Sequence, residues 1–203
     1  AANRVAATAP TLPALSRYAG VIVATLDPAS LPPAAHARAE QAVLFFSGLW
    51  GVVGGADPVP DYRVPASGTL PRVGGLAAYW RGYLGPVVPQ LLGDEPVVDL
   101  RSSDYRSMWQ VPHKLRDQVV TVRVLARRPD GRLGAVSHHA KTVKGRLVRA
   151  LVTDRRRPAA DAFDALDRAC STLGIEPVDT STAAARSVDV VAPIEWTVVS
   201  SRG

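Results

Sequence analysis

The chain has 203 residues, 47% of them apolar and 21% charged, a composition that excludes a disordered chain and fits one globular domain with a substantial core. It contains no apolar run of the roughly 18 residues a membrane helix needs, and its single cysteine, Cys170, rules out an internal disulfide or a cysteine-based zinc site. The net charge of +6 is uneven: residues 1–100 carry 6 Lys+Arg against 7 Asp+Glu and residues 101–203 carry 18 against 11, so −1 and +7, which points to a polyanionic partner or an anionic substrate.

Residues 9–13 are a Pro-rich entry, and residues 14–26 are expected to form a short helix interrupted at Gly20. Ser30 followed by Pro32 and Pro33 marks a helix start, and residues 34–41 have helix-forming composition. Val43, Leu44, Phe45 and Phe46, closed by Ser47-Gly48, predict a buried strand. The glycine-rich stretch 48–55 is expected to be a tight turn between short helical pieces, and residues 57–64 an extended segment broken by proline. Over residues 76–91, Leu76, Tyr79, Trp80, Tyr83 and Leu84 have helical spacing and are expected to face a core, while Gly82, Gly85 and Pro86 kink or end the helix. Residues 97–100 form a second short strand, followed by the polar cluster Arg101-Ser102-Ser103-Asp104-Tyr105. Residues 119–125 alternate as a third, with Val120, Val122 and Val124 on one face and Thr121 and Arg123 on the other.

Pro129-Asp130-Gly131 reads as a turn, and residues 133–137 as a strand ending near His138 and His139, where strand becomes helix. In that helix Val143, Leu147, Ala150 and Leu151 make one apolar stripe, with Lys141, Lys144, Arg146 and Arg149 off it. Two readings stand for the cations: a solvated outer face, or an anion site in which unpaired N–H groups at the helix start join Lys141 and Lys144. A basic loop over residues 154–158, a helix over residues 159–173 closed by Gly174, and terminal strands at 188–191 and 196–199 complete the chain. Alternating strands and helices indicate an α/β or mixed α+β single domain, a central mixed sheet flanked by helices, with polar groups gathered at strand ends.

No P-loop, Gly-x-Gly-x-x-Gly after a strand, or Gly-x-Ser-x-Gly elbow is present. The four histidines lack metal-ligand spacing, His36 and His113 being isolated and His138 and His139 adjacent. Neither a metal nor a cofactor is expected. The start Ala1-Ala2-Asn3-Arg4 lacks the order of a secretory leader, and with one cysteine a cytoplasmic protein is expected.

Taken in register, Ser47-Gly48-Leu49-Trp50-Gly51-Val52, then Asp57 and Pro60-Asp61-Tyr62-Arg63, then Trp80, then residues 99–105, then Val136-Ser137-His138-His139-Ala140-Lys141-x-x-Lys144-Gly145, resemble the bacterial peroxide-stress protein family YaaA in an actinobacterial version. The resemblance runs from about Ala9 to Trp196. It implies a single-domain mixed fold, a cytoplasmic role in limiting oxidative damage, and binding of DNA or another polyanion in a positively charged cleft, through a helix-hairpin-helix-like element. Residues 48–55 have the composition such a hairpin needs, and a glycine-rich core turn around Trp50 is the competing reading. By position the resemblance implies roles around one cleft for Ser47, Tyr62, Arg63, Arg101, Ser102, Tyr105, Lys141 and Lys144. His138 and His139 stand where many members carry an aromatic pair, either adding protonatable groups to the cleft or marking local drift. The family's N-terminal strand and Pro-containing turn have no counterpart before Ala1, so this chain is expected to lack them.

The alternative from a different class is an enzyme acting on a small anionic or nucleotide-like molecule in the same cleft, in specialised metabolism. Arg63 and Arg101 would then clamp an anion, Lys141 or Lys144 act as base or electrophilic stabiliser, and Tyr105 donate a proton. Lys141, Lys144 and Arg101 are expected to converge on one anion site walled by Tyr62 and Tyr105, with Asp99 or Asp104 as counter-charge in its absence. A third class, a partner-binding domain, has only the basic loop and an expected exposed Trp109 in its favour. Neither a membrane partner nor any oligomeric state is indicated.

Overall fold

The computed structural model describes residues 2–127, 132–135, 137–156 and 158–192, with the side chains of all of these except 2, 127, 135, 137 and 138. In chain order the elements begin with α1 (Ala2–Val5), β1 (Thr11–Pro13), α2 (Ala14–Arg17) and α3 (Val21–Leu26). Gly20 is the N-cap of α3, so the predicted helix is split at the glycine. After a 3-10 turn at Pro28–Ser30 comes α4 (Pro33–Ala42), whose fixed-φ prolines sit at the N-cap and first turn. Then follow β2 (Leu44–Ser47), β3 (Gly51–Gly54), β4 (Pro58–Pro60), β5 (Thr69–Leu70), β6 (Gly74–Gly75) and α5 (Leu76–Leu92). The C-terminal half contains β7 (Val97–Asp99), α6 (Ser103–Arg106), a second 3-10 turn (His113–Leu115), β8 (Val119–Arg127), β9 (Leu133–Ala135), α7 (Ser137–Thr153), α8 (Ala162–Leu173), β10 (Pro177–Asp179) and β11 (Arg186–Ala192). The predicted turn 129–131 and strand 196–199 lie outside the described residues. Among the described residues no helix is long and apolar enough to cross a membrane.

These elements form two compact units. The first takes the chain up to Tyr18, Pro28–Asp94 and Arg101–Pro112. Its strands pair only two by two, β1 with β4, β2 with β3 and β5 with β6, all antiparallel. Residues 48–55 are thus the turn and return strand of a β-hairpin, which overturns both the expected helical pieces and the helix-hairpin-helix-like element. The reason is local packing. Gly51 has φ +76° and a Cβ there would stand 2.7 Å from the Trp80 ring, while the Trp80 indole N–H donates to the Gly48 carbonyl at 2.8 Å. The glycines admit an indole and positive φ, which accounts for them by packing alone. β2 is half-buried along Leu44, Phe45 and Phe46 and not the fully buried strand expected, because its only strand partner is β3.

α5 runs to Leu92 through Pro86 and Pro89, so of the two expected effects of Gly82, Gly85 and Pro86, a kink or an end, they do not end it. Of the predicted stripe Leu76 and Leu84 are buried, with Val88, and Trp80 is half-buried against Gly51, whereas Tyr79 and Tyr83 are exposed. Helical period alone cannot say which of two overlapping apolar stripes turns inward.

The second unit takes Ala19–Asp27, Glu95–Leu100 and the described residues from His113 on. Its sheet has the order β10-β11-β8-β7, with β8 parallel to both β11 and β7 and β10 antiparallel to β11. β9 folds back antiparallel on β8, pairing Leu125 with Ala135 and Arg127 with Leu133. β7 pairs with residues 119–121 of the same strand, so β7 and β9 occupy one edge of β8 and end head to head opposite residues 122–124. On one face Val120, Val122 and Val124 meet Val188 and Val190 under Val143, Leu147 and Ala150 of α7 and Ala162, Leu166, Ala169 and Cys170 of α8. On the other, Arg123 grips its register partner Asp189 through both carboxylate oxygens, each at 2.6 Å. Both the alternation of β8 and the apolar stripe of α7 stand as predicted.

The cations of α7 depart from expectation. Lys144 is buried, and its ammonium donates to the Leu100 carbonyl at 2.8 Å; Arg149 donates to the Leu26 carbonyl at 2.7 Å. α3 packs along α7 at Gly145, where a Cβ would meet the Ile22 carbonyl oxygen at 2.5 Å. Much of the supposed outer face is therefore covered by α3, and only Lys141 of the two leading lysines is exposed.

Candidate functional site

In the first unit the chemistry is concentrated on the β2–β3 hairpin. Ser47 closes β2 and is 3% exposed. Its hydroxyl oxygen accepts the backbone N–H groups of Leu49 (3.1 Å) and Trp50 (3.0 Å), the bonds by which a serine folds the chain into a turn. The same oxygen lies 2.5 Å from the Tyr62 hydroxyl, which lies 2.6 Å from the Tyr18 hydroxyl. Tyr18 packs on Phe45 with ring centroids 4.9 Å apart, and Trp50 stands edge-on to Tyr62. Burial pushes the Tyr18 phenol far above its usual value. Tyr105 is also raised, first by burial and then by the neighbouring Tyr62 and Asp104. Both are neutral donors at physiological pH.

Strand alternation turns Phe46 away from Phe45 and Ser47. On that side the Arg101 guanidinium lies 4.3 Å over the Phe46 ring and 5.0 Å over the Trp109 ring, and donates to the Trp109 carbonyl at 2.9 Å. Stacking of this kind suits the planar, weakly hydrated guanidinium and not an ammonium. Trp109 is 5% exposed, which corrects the expectation of an exposed indole; its N–H has no acceptor among the described residues. Arg101 is also 3.4 Å from the Tyr105 carbonyl. Ser102 is exposed at the N-cap of α6 and makes no side-chain cap bond. Arg63 is exposed, its backbone tied to the Asn3 side chain in both directions, at 2.7 and 2.9 Å.

In the second unit, Lys141 is exposed near the start of α7, and His139, Thr142 and Lys144 are buried on the same helix. The His138 side chain lies outside the described ones. Asp99 is buried at the end of β7, one residue before the carbonyl that Lys144 holds. Of the residues chosen from the sequence, the structure joins Ser47 to Tyr62 and Arg101 to the backbone of Tyr105. Arg101 belongs to the first unit and Lys141 and Lys144 to the second. Missing from the choice were Tyr18, Phe46 and Asn3, all partners across long sequence separations for which no spacing rule gives a signal. The charge divides differently by unit than along the chain: among the described residues the first holds eight arginines against five carboxylates, so +3, and the second 13 cations against 11, so +2.

A mixed α/β protein with an aromatic, hydroxyl-rich and cationic hairpin site is the class so defined. The model of the family described as peroxide stress protein YaaA matches residues 1–169. A UPF0246 protein of Streptomyces coelicolor is 41% identical over 169 residues, 83% of this chain and 63% of that protein. UPF0246 proteins of Corynebacterium glutamicum and Corynebacterium efficiens are 35% and 38% identical over 156 and 157 residues, each 76% of this chain and 60% of the relative. The chain belongs to the YaaA family of peroxide stress proteins, and its match spans about six-tenths of the length of these actinobacterial relatives. The match ends at Ala169, inside α8; β10 and β11 lie beyond it.

Proposed function

We propose that the protein serves the cytoplasmic response to peroxide by binding DNA or another polyanion through its exposed cations. The observation that carries the reading is that Arg63 and Lys141 are exposed and, among the described residues, neither side chain has a hydrogen-bond or ion-pair partner, while the described residues of the two units keep surpluses of +3 and +2. Unpaired exposed cations are the groups that exchange counterions for phosphates. The test is fluorescence anisotropy of a labelled DNA duplex of arbitrary sequence at several salt concentrations. Log K is expected to fall linearly with log salt, by about 0.9 per phosphate neutralised, and to be the same for an unrelated duplex. Salt-independent binding, or none at low salt, overturns the reading.

A second reading, an enzyme acting on a small anionic or nucleotide-like molecule, is favoured by the hydroxyl chain and by Arg101 held over the Phe46 and Trp109 rings. Neither arrangement is needed for diffuse charge attraction. In this reading Arg101 and Arg63 bind the anion and Tyr105, held neutral, donates a proton.

A further inference from the structure

The direction of the hydroxyl chain follows from counting lone pairs. A serine hydroxyl has two acceptor sites and one hydrogen. In Ser47 both acceptor sites are taken by the Leu49 and Trp50 N–H groups, so its hydrogen goes to the Tyr62 oxygen at 2.5 Å. Tyr62 has one hydrogen of its own, and among the described residues the Tyr18 oxygen, 2.6 Å away, is the acceptor left within its reach. Tyr18 is then left with a hydrogen that has no acceptor among the described residues. Both O···O distances are at the short end of hydroxyl bonds, and two backbone N–H groups polarise the far end, so each bond strengthens the next.

Resting on the second reading above, we propose that Tyr18 is the donor end of a Ser47–Tyr62–Tyr18 relay and binds an oxyanion, a phosphate or carboxylate oxygen, of the ligand. Against a weakly basic oxygen Tyr18 gives a hydrogen bond. Against a basic one the proton crosses: the Tyr18 O–H bond breaks as the ligand O–H forms, the Tyr62 proton moves to Tyr18, and the negative charge rests on Tyr62. There the phenolate accepts from Ser47 on one side and Tyr18 on the other. Tyr62 is the one member with a hydroxyl donor on each side, so the chain gathers charge at its middle and exchanges protons at its Tyr18 end. Burial keeps Tyr18 protonated until it is used.

Inorganic phosphate is the probe, titrated into the intact protein while the hydroxyl protons are followed by NMR. Without phosphate, the Ser47 and Tyr62 hydroxyl protons are expected to exchange slowly and the Tyr18 proton fast; phosphate slows the Tyr18 proton. Tyr18→Phe keeps the ring on Phe45 and is expected to weaken phosphate binding about tenfold, the worth of a hydrogen bond to a charged group. Tyr62→Phe weakens it less, and Tyr83→Phe, on the exposed side of α5, leaves it unchanged. A Tyr18→Phe protein that binds phosphate as well as the parent, or a protected Tyr18 proton with an exchanging Tyr62 proton before phosphate is added, overturns the relay and leaves the anion-binding reading standing. Absence of saturable phosphate binding by the parent overturns both.

Discussion

Ser47 shows how much one hydroxyl organises: it ends a strand, folds the turn after it and starts a chain of phenols. Ser47→Ala leaves two backbone N–H groups without their acceptor and is expected to lower unfolding stability by about 1–3 kcal/mol in urea melts, whereas Ser102→Ala, exposed and without a cap bond, should change it by within about 0.5 kcal/mol. Equal losses at the two sites would contradict the hydrogen-bond accounting. Cys170 is a second residue with a measurable consequence. Its thiol is fully buried and burial, with the nearby Asp167, pushes it up to about 11, so the reactive thiolate is scarce at neutral pH. Alkylation by iodoacetamide and oxidation by peroxide at pH 7.5 are expected to be far slower in the native protein than in urea; comparable rates would show that the thiol is open. Tyr18, Tyr105 and Cys170 all bind their proton more tightly when folded, so the stability they contribute is fully present below their ordinary values and is lost as pH rises through the folded ones. Stability should therefore fall on the alkaline side, above about pH 9–10. At this scale Ser47 and Tyr62 were legible through family resemblance, while Tyr18 was not, since its partner lies 44 residues away and nothing local marks the contact.

At the scale of elements, α7 was the most legible, because a 3.6-residue stripe with Leu147 at its middle needs no knowledge of the rest of the fold. What the period cannot show is a helix laid across the other side. α3 comes from more than a hundred residues upstream, and only Gly145 inside α7 hints at it. Gly145→Ala puts a methyl group against the backbone of α3 and is expected to destabilise, although alanine is the better helix former. Gly82→Ala in α5, with nothing within 4 Å of the added Cβ, should instead stabilise by about 0.5–1 kcal/mol. Thermal melts of the two variants moving in the same direction would refute the close packing of α3 on α7. The hairpin over residues 48–55 was misread for a related reason: glycines demanded by an indole from α5 look, in sequence, like glycines demanded by a ligand.

For the whole molecule, the family, the mixed fold and the strands β2, β7, β8, β9 and β11 were legible, because they rest on motifs in register and on runs or alternation of apolar residues, whereas the short strands β1, β3 to β6 and β10 were not. The distribution of charge was not. Half-by-half counting gives −1 and +7, but residues 101–112 belong to the first unit while Asp27, Glu95 and Asp99 belong to the second, and the described residues of the two units carry +3 and +2. Several C-terminal cations are also spoken for, Arg123 by Asp189, Arg156 and Arg168 by Asp154, and Lys144 by a carbonyl. The proposed polyanion binding then rests on exposed cations such as Arg63 and Lys141, whose side chains have no partner among the described residues. The most direct measurement is the salt dependence of duplex DNA binding by the parent and by the Arg63→Glu, Lys141→Glu double variant. We predict that the variant binds more weakly to every sequence and that the slope of log K against log salt shrinks by about one for each cation removed. A variant with the parent's affinity and slope would contradict the account.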